Sequence, residues 1–423
     1  MDYTTLSLAY GSGQLPVQIP TSNLLGIFEP IAVIDGSGEK ELIIEAMTQP
    51  IGSPRLCDLA RRGQKVAIVT SDLTRPCPSQ HLLPYILREL AGAGIPDTDI
   101  MIILGLGLHR PMTPAEIDTA LSPEIAHRYR VLNHDPADTD RLGVTSFGTP
   151  VEIFRPLIET DLRLCLGALE FHYFAGYSGG AKAIFPGCAS RAAVTANHAM
   201  MVRPEAAAGR IEGNPVRADL EEATAMLGVD YILNVLVDGE HRIVGAVSGD
   251  VTAAHRRGCE LVARRGKVQI PALADIVLAS AGGYPKDINF YQAHKALENA
   301  VYAVRPGGVI VLVAECPEGF GNQTFESWFL SGDSPEQLLQ RIQEQFVLGG
   351  HKAASIAAIR QKACVSLVSN LPDDTVQRGG FIPYPTPQAA LGAAFDRLGS
   401  ESRVIVLPHA GSLLPSIDYS SPE

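Results

Sequence analysis

At 423 residues the chain is too long for one small core; at about 100–200 residues per domain, two domains are expected. With a net charge of −12, nucleic acid and anionic membranes are poor candidates for its main partner. No apolar run reaches the roughly 18–20 residues that span a bilayer, and Met1-Asp2-Tyr3-Thr4 does not open a secretory leader, so a cytoplasmic protein is expected. The seven cysteines (57, 77, 165, 188, 259, 316 and 364) include no C-x-x-C pair, as expected of reduced, mostly core-filling thiols.

The elements follow a strand–loop–helix rhythm. Lys65–Thr70 reads as a buried strand, followed by a polar turn at Ser71–Pro78 and a helix from about Ser79. Asp99–Leu106 reads as a second strand, and Thr113 with Glu116 forms a capping box for the next helix. Leu162–Leu169 is a third strand, leading into a glycine-rich turn. After an arginine-rich helical stretch at Val251–Lys267, the rhythm resumes. Asp275–Ala279 reads as a strand, Asn289–Val304 as a helix, Arg305–Gly308 as a turn and Val309–Ala314 as a strand.

The expected fold is therefore α/β: two α/β domains with mainly parallel sheets and an interdomain active-site cleft. The first domain is expected over 1–268, with 251–267 as its linker helix. The second, Rossmann-like, is expected over 269–423. Ligands of such sheets bind beyond the carboxyl ends of the strands, and Asp72, Arg75, His109 and His172 each follow a predicted strand.

Five segments carry candidate chemistry. In Ser71-Asp72-Leu73-Thr74-Arg75-Pro76, Asp72 and Thr74 suit the turn's amides and Arg75 suits a carboxylate or phosphate; an Asx turn with a surface arginine fits as well. In Gly105–Pro111, His109 stands at the mouth of the sheet, where a general acid/base belongs, though a turn histidine bonded to backbone is an equal reading. Glu170–Gly187 combines His172, the Gly179–Gly180 turn and Lys182, a set fit for an anion or a covalent ligand. It matches neither a Walker loop nor a dinucleotide fingerprint. His198, after Asn197, is a lone imidazole with no other protein ligands at metal spacing; on spacing alone it reads better as a helix-end histidine. In Asp287–Ala296, Tyr291, Gln292 and Lys295 share one helix face. The Tyr291-x-x-x-Lys295 pair also matches short-chain dehydrogenases, but the N-terminal glycine fingerprint of those enzymes is missing.

Taken together, D-L-T-R-P (72–76), G-L-H-R-P (107–111), F-H-Y-F-A-G-Y-S-G-G-A-K (171–182), N-H (197–198) and D-I-N-F-Y-Q-A-H-K-A (287–296) resemble the nickel-dependent lactate racemase family. The resemblance implies a racemase or epimerase of a small 2-hydroxy acid such as lactate or malate, working by hydride transfer. It implies a nickel-pincer nucleotide as cofactor (pyridinium-3,5-bisthiocarboxylic acid mononucleotide carrying Ni), made by separate biosynthetic enzymes. His198 would ligate nickel. Lys182, Asp72, Thr74, Gly179, Gly180 and Tyr291 would hold the nucleotide, with Lys182 the candidate for a covalent link. His109 and His172 would be the acid/base pair, and Arg75, Gln292 and Lys295 would bind the substrate. Gly349-Gly350-His351-Lys352 is a candidate pocket for the substrate's third substituent, alongside a plain helix N-terminus. The rivals are an NAD-dependent short-chain dehydrogenase and a non-catalytic nucleotide- or organic-acid-binding protein. The oligomeric state is left open.

Overall fold

The computed structural model describes residues 2–31, 38–73, 75, 77–238 and 242–417. The chain divides into two compact units, Val33–Arg264 and the pair of segments Met1–Ala32 and Arg265–Glu423.

In the first unit a six-stranded sheet runs in the order Ile243–Gly249, Tyr231–Val237, Leu162–Ala168, Val66–Ser71, Ile100–Gly105, Arg130–Asn133. All pairings are parallel except that of Tyr231–Val237 with Ile243–Gly249. The strands read as unbroken apolar runs because both faces of the sheet are covered. Val66, Ile68, Ile102, Leu164 and Leu233 enter one core cluster, while Ala67, Val69, Ile103, Cys165 and Ile232 enter another on the opposite face. The chain builds outward from Val66–Ser71, then crosses back to lay Leu162–Ala168 on its other side. That reversal is a topological switch point, and the loops leaving both strands begin there.

The helix Ala253–Gly266, expected as a linker, is part of this unit. His255, Cys259 and Val262 are buried, and the latter two pack against Leu169, Tyr177 and Leu236.

The second unit is built on an all-parallel sheet in the order Ile382–Pro383, Cys364–Val368, Val304–Val313, Ala274–Ser280, Val404–Leu407, Leu24–Ile27. Its edge strand is N-terminal. The first residues, expected within a domain spanning 1–268, instead join this unit. Leu24–Ile27 pairs with Val404–Leu407, and Leu8, Val17 and Ile19 enter a core with Ile276, Leu278 and Val311. The expected turn at Arg305–Gly308 lies within the strand Val304–Val313, opposite a register shift between Ala274 and Ile276. Among the described residues no helix is long and apolar enough to cross a membrane.

Candidate active site

The loop after Val66–Ser71 delivers Asp72, and the loop after Ile100–Gly105 delivers His109. The Asp72 side chain is buried, and its Oδ2 lies 2.5 Å from His109 Nδ1. A carboxylate accepts there, so Nδ1 carries the proton and the lone pair falls on Nε2. The sequence reading placed Asp72 on the nucleotide and did not foresee this pairing. Arg75 is exposed in the same loop. Thr74 lies outside the described residues.

The glycine-rich segment is held by groups distant in sequence. Phe171 and His172 form a short ladder with Gly176 and Tyr177. Buried Arg217 donates from Nε to Ala175 O at 3.1 Å and from Nη2 to Tyr177 O. His255 Nε2 bonds Ser178 O at 2.9 Å, and Gly107 N–H donates to Gly187 O at 2.8 Å, tying the His109 loop to this one. Gly179 and Gly180 have φ of 73° and 57°, a left-handed turn that side chains resist. Gly180 N–H donates to Asn234 Oδ1 at 2.7 Å. Lys182 follows in a single 3-10 turn, its Nζ 5.7 Å from the centre of the Phe174 ring.

His172 differs from His109. Its Nδ1 accepts the Ala175 N–H at 3.2 Å, which leaves the proton of the neutral ring on Nε2. The ring stacks on Tyr173 and meets Phe174 edge-on.

Ser190 caps the helix Arg191–Ala199, which carries His198. The buried His198 ring donates from Nδ1 to Asn197 Oδ1 at 3.0 Å. Asn197 Nδ2 in turn donates to Asp219 Oδ2 at 2.7 Å and to Val216 O. This relay fixes the tautomer, with the proton on Nδ1, the kind of support found behind metal-ligating imidazoles. Among the described residues no group of three or more His, Cys, Asp or Glu is placed to hold a metal.

Electrostatics link these side chains. Burial, then Lys182, Arg75 and other cations, holds His172 well below the usual histidine range. Burial, Lys182 and Arg75 do the same to His198. Lys182 is pushed well below the ordinary lysine range by burial, then by Arg217 and Arg75, with Glu170 opposing. Arg75 acts on all three groups, so they share one locale, and burial is the leading cause in each.

In the second unit Asn289 caps the helix Phe290–Ala300 through Gln292 N. Ala293, His294, Ala296 and Leu297 are buried, leaving Tyr291, Gln292 and Lys295 on the more exposed side. His351 and Lys352, expected to line a substrate pocket, are buried at the start of the helix Gly350–Lys362. His351 Nδ1 accepts the Gly349 N–H, and Lys352 Nζ donates to Tyr291 O.

Sequence reasoning missed Asn234, Arg217, His255 and the Asn197–Asp219 relay. Only Asn234 left a visible signal, a lone amide in the apolar strand Y-I-L-N-V-L-V.

Residues 10–209 match the lactate racemase N-terminal domain model and residues 270–414 the lactate racemase C-terminal domain model. The lactate racemase of Thermoanaerobacterium thermosaccharolyticum is 31% identical, over 97% of this chain and 98% of that protein. The lactate racemase of Lactiplantibacillus plantarum is also 31% identical, over 95% of this chain and 97% of that protein. The solved lactate racemase apoprotein from T. thermosaccharolyticum superposes with a TM-score of 0.91, covering 98% of this chain and all of that one. A Thermotoga maritima protein of 17% identity shares the fold alone, with a TM-score of 0.66 over 92% of this chain and 100% of its own. The chain belongs to the lactate racemase family and is a racemase, an enzyme of the isomerase class.

Proposed function

We propose that this racemase interconverts the enantiomers of a small 2-hydroxy acid, lactate or a relation such as malate, with a nickel-pincer nucleotide as cofactor. The observation that carries the reading is the grouping, in one unit, of an Asp72-held His109 with His172, Lys182 and His198, each of the last three held below its ordinary range by burial. The residues fit the cofactor: His198 offers one tautomer-fixed imidazole and Lys182 a buried amine. Reversible acceptance of the substrate's Cα hydride is the chemistry that a nickel-bearing pyridinium nucleotide supplies when bound.

The chain's own residues do the rest. His109 takes the substrate hydroxyl proton at Nε2, and Asp72 stabilises the imidazolium that results. Loss of that proton lets the Cα–H bond give up its hydride and leaves a planar 2-keto acid. His172 meets the same oxygen when the keto acid presents its other face, so reduction there yields the opposite enantiomer. Arg75 is assigned the substrate carboxylate, and its planar guanidinium suits that role. Gln292 and Lys295 are the substrate-binding candidates of the second unit, and Tyr291 is a candidate cofactor contact.

The test is co-expression with the enzymes that build the cofactor, followed by nickel analysis and chiral separation of single-enantiomer 2-hydroxy acids incubated without added NAD. We expect stoichiometric nickel and loss of optical purity with at least one acid. Optical purity retained in all of them overturns the proposal, and turnover dependent on added NAD favours the dehydrogenase reading.

A further inference from the structure

The helix Phe290–Ala300 conceals a charged cluster that the proposed reaction does not use. Lys352, only 7% exposed, donates from Nζ to the Tyr291 carbonyl at 3.0 Å and lies 3.6 Å from the centre of the Tyr291 ring. Fully buried His294 bonds the same carbonyl through Nδ1 at 2.7 Å, and its Nε2 is 3.3 Å from Glu298 Oε1. Glu298 also accepts the Ser355 hydroxyl at 2.8 Å, one turn along the helix that carries Lys352. Burial pushes the Glu298 carboxyl up, but His294, Ser355 and Lys352 outweigh it and hold the group below the usual carboxylate range. Burial and the Lys352 charge keep the His294 ring low despite Glu298.

Lys352 Nζ also lies 3.5 Å from His294 Nδ1, so lysine, imidazole and carboxyl form one buried cluster. Lys352 is committed to the Tyr291 carbonyl and ring, which argues against its serving an acidic substrate tail. A buried ion pair is a weak source of stability, since two charges must leave water to form it. Lys352 has a specific target: it grips both the backbone and the ring of Tyr291, and Lys295 stands one helical turn further on.

We propose that Lys352 is a positioning residue that sets how Tyr291 and Lys295 present their side chains to the racemase's ligands. The inference rests on the reading of those two residues as ligand-binding. A misplacement of about 1 Å costs on the order of 10²-fold in rate, so a single cation beneath Tyr291 has leverage without touching substrate.

Two measurements test it. In the apoprotein, hydrogen exchange of residues 290–296 is compared between the wild type, Lys352→Met and Lys352→Arg. In the nickel-loaded enzyme, KM and kcat are measured from each enantiomer. Lys352→Met should speed exchange selectively in 290–296. It should lower kcat/KM by on the order of 10²-fold, mostly through KM, because carboxylate binding is loosened first. Lys352→Arg, which keeps a cation over the ring, should recover part of the loss. Ser355→Ala, a milder change, should shift KM in the same direction and covers the case in which Lys352→Met does not fold. Unchanged exchange in 290–296 overturns the network, and changed exchange with wild-type KM and kcat overturns its role in positioning. A wild-type holoenzyme that racemises no 2-hydroxy acid instead overturns the proposed function and, with it, the functional half of this inference.

Discussion

Asp72 and His109 are 37 positions apart, and each was legible alone as a polar residue just past a strand end. Their pairing was not, because it depends on the adjacency of Val66–Ser71 and Ile100–Gly105 in the sheet and on the reach of two loops. The pairing changes what Asp72 is expected to do. If it orients His109, Asp72→Asn should leave fold, nickel and bound nucleotide intact while kcat falls by up to about 10⁴-fold. Substitution of the carboxylate behind a catalytic histidine has that effect when the wrong tautomer results. If it holds the nucleotide instead, cofactor content falls and kcat per bound cofactor does not. Absorbance and nickel content of the purified variant, set against its turnover, separate the two. His198 teaches the same lesson in reverse. As a lone imidazole it looked a poor ligand, and only the Asn197–Asp219 relay behind it reveals a fixed tautomer.

At the scale of elements, the local signals were readable where they are chemically self-contained. The Thr113–Glu116 capping box forms, with the Glu116 carboxyl drawn down to about 2, first by Arg110 and then by the Thr113 backbone. The five strands expected from apolar runs fall within a residue or two of their observed bounds, save Val304–Val313, which begins five residues earlier. What could not be read was support from afar: the turn that presents Lys182 is held by Asn234, His255 and Arg217, all of them downstream of it. Its tolerance is correspondingly narrow. A Cβ on Gly180 would sit 2.7 Å from His255 Cδ2, at a φ that an L side chain resists. Gly180→Ala should therefore cost about 1–2 kcal/mol from backbone conformation, before any clash. In a unit of this size that is a fall of roughly 2–8 °C in its melting transition. The fall should come with loss of retained nucleotide, since the turn and Lys182 move together. Calorimetry of the apoprotein and cofactor content after co-expression give the two readings, and a variant with wild-type values in both would show that the turn is not constrained in this way.

Across the whole molecule, the two-unit α/β architecture was legible from alternating strands and helices, but the allegiance of the first 31 residues was not. Edge pairing of Leu24–Ile27 with Val404–Leu407 joins segments about 380 residues apart, a contact that no local pattern encodes. A second global property follows from burial in both units. His134, His172, His198 and His255 in the first unit and His294 and His409 in the second all sit below the usual histidine range, with burial the leading cause in each. A histidine whose folded value is depressed is neutral in the native state while the unfolded chain takes up a proton near 6.5. The unfolded state then binds more protons, so stability is fully present above about pH 6.5 and is lost as pH falls toward the folded values. His134, at about 4, accounts for roughly 3 kcal/mol of that loss by itself. Carboxylates held low, such as Glu298, lose stability in the same direction but in a lower window. The apoprotein should accordingly melt at progressively lower temperature from pH 7.5 to pH 5, before carboxylate protonation dominates. His134→Gln, outside the proposed catalytic set, should flatten the slope by removing one of the six contributions. A melting temperature constant down to pH 5 would contradict the assignment of these histidines as buried and neutral.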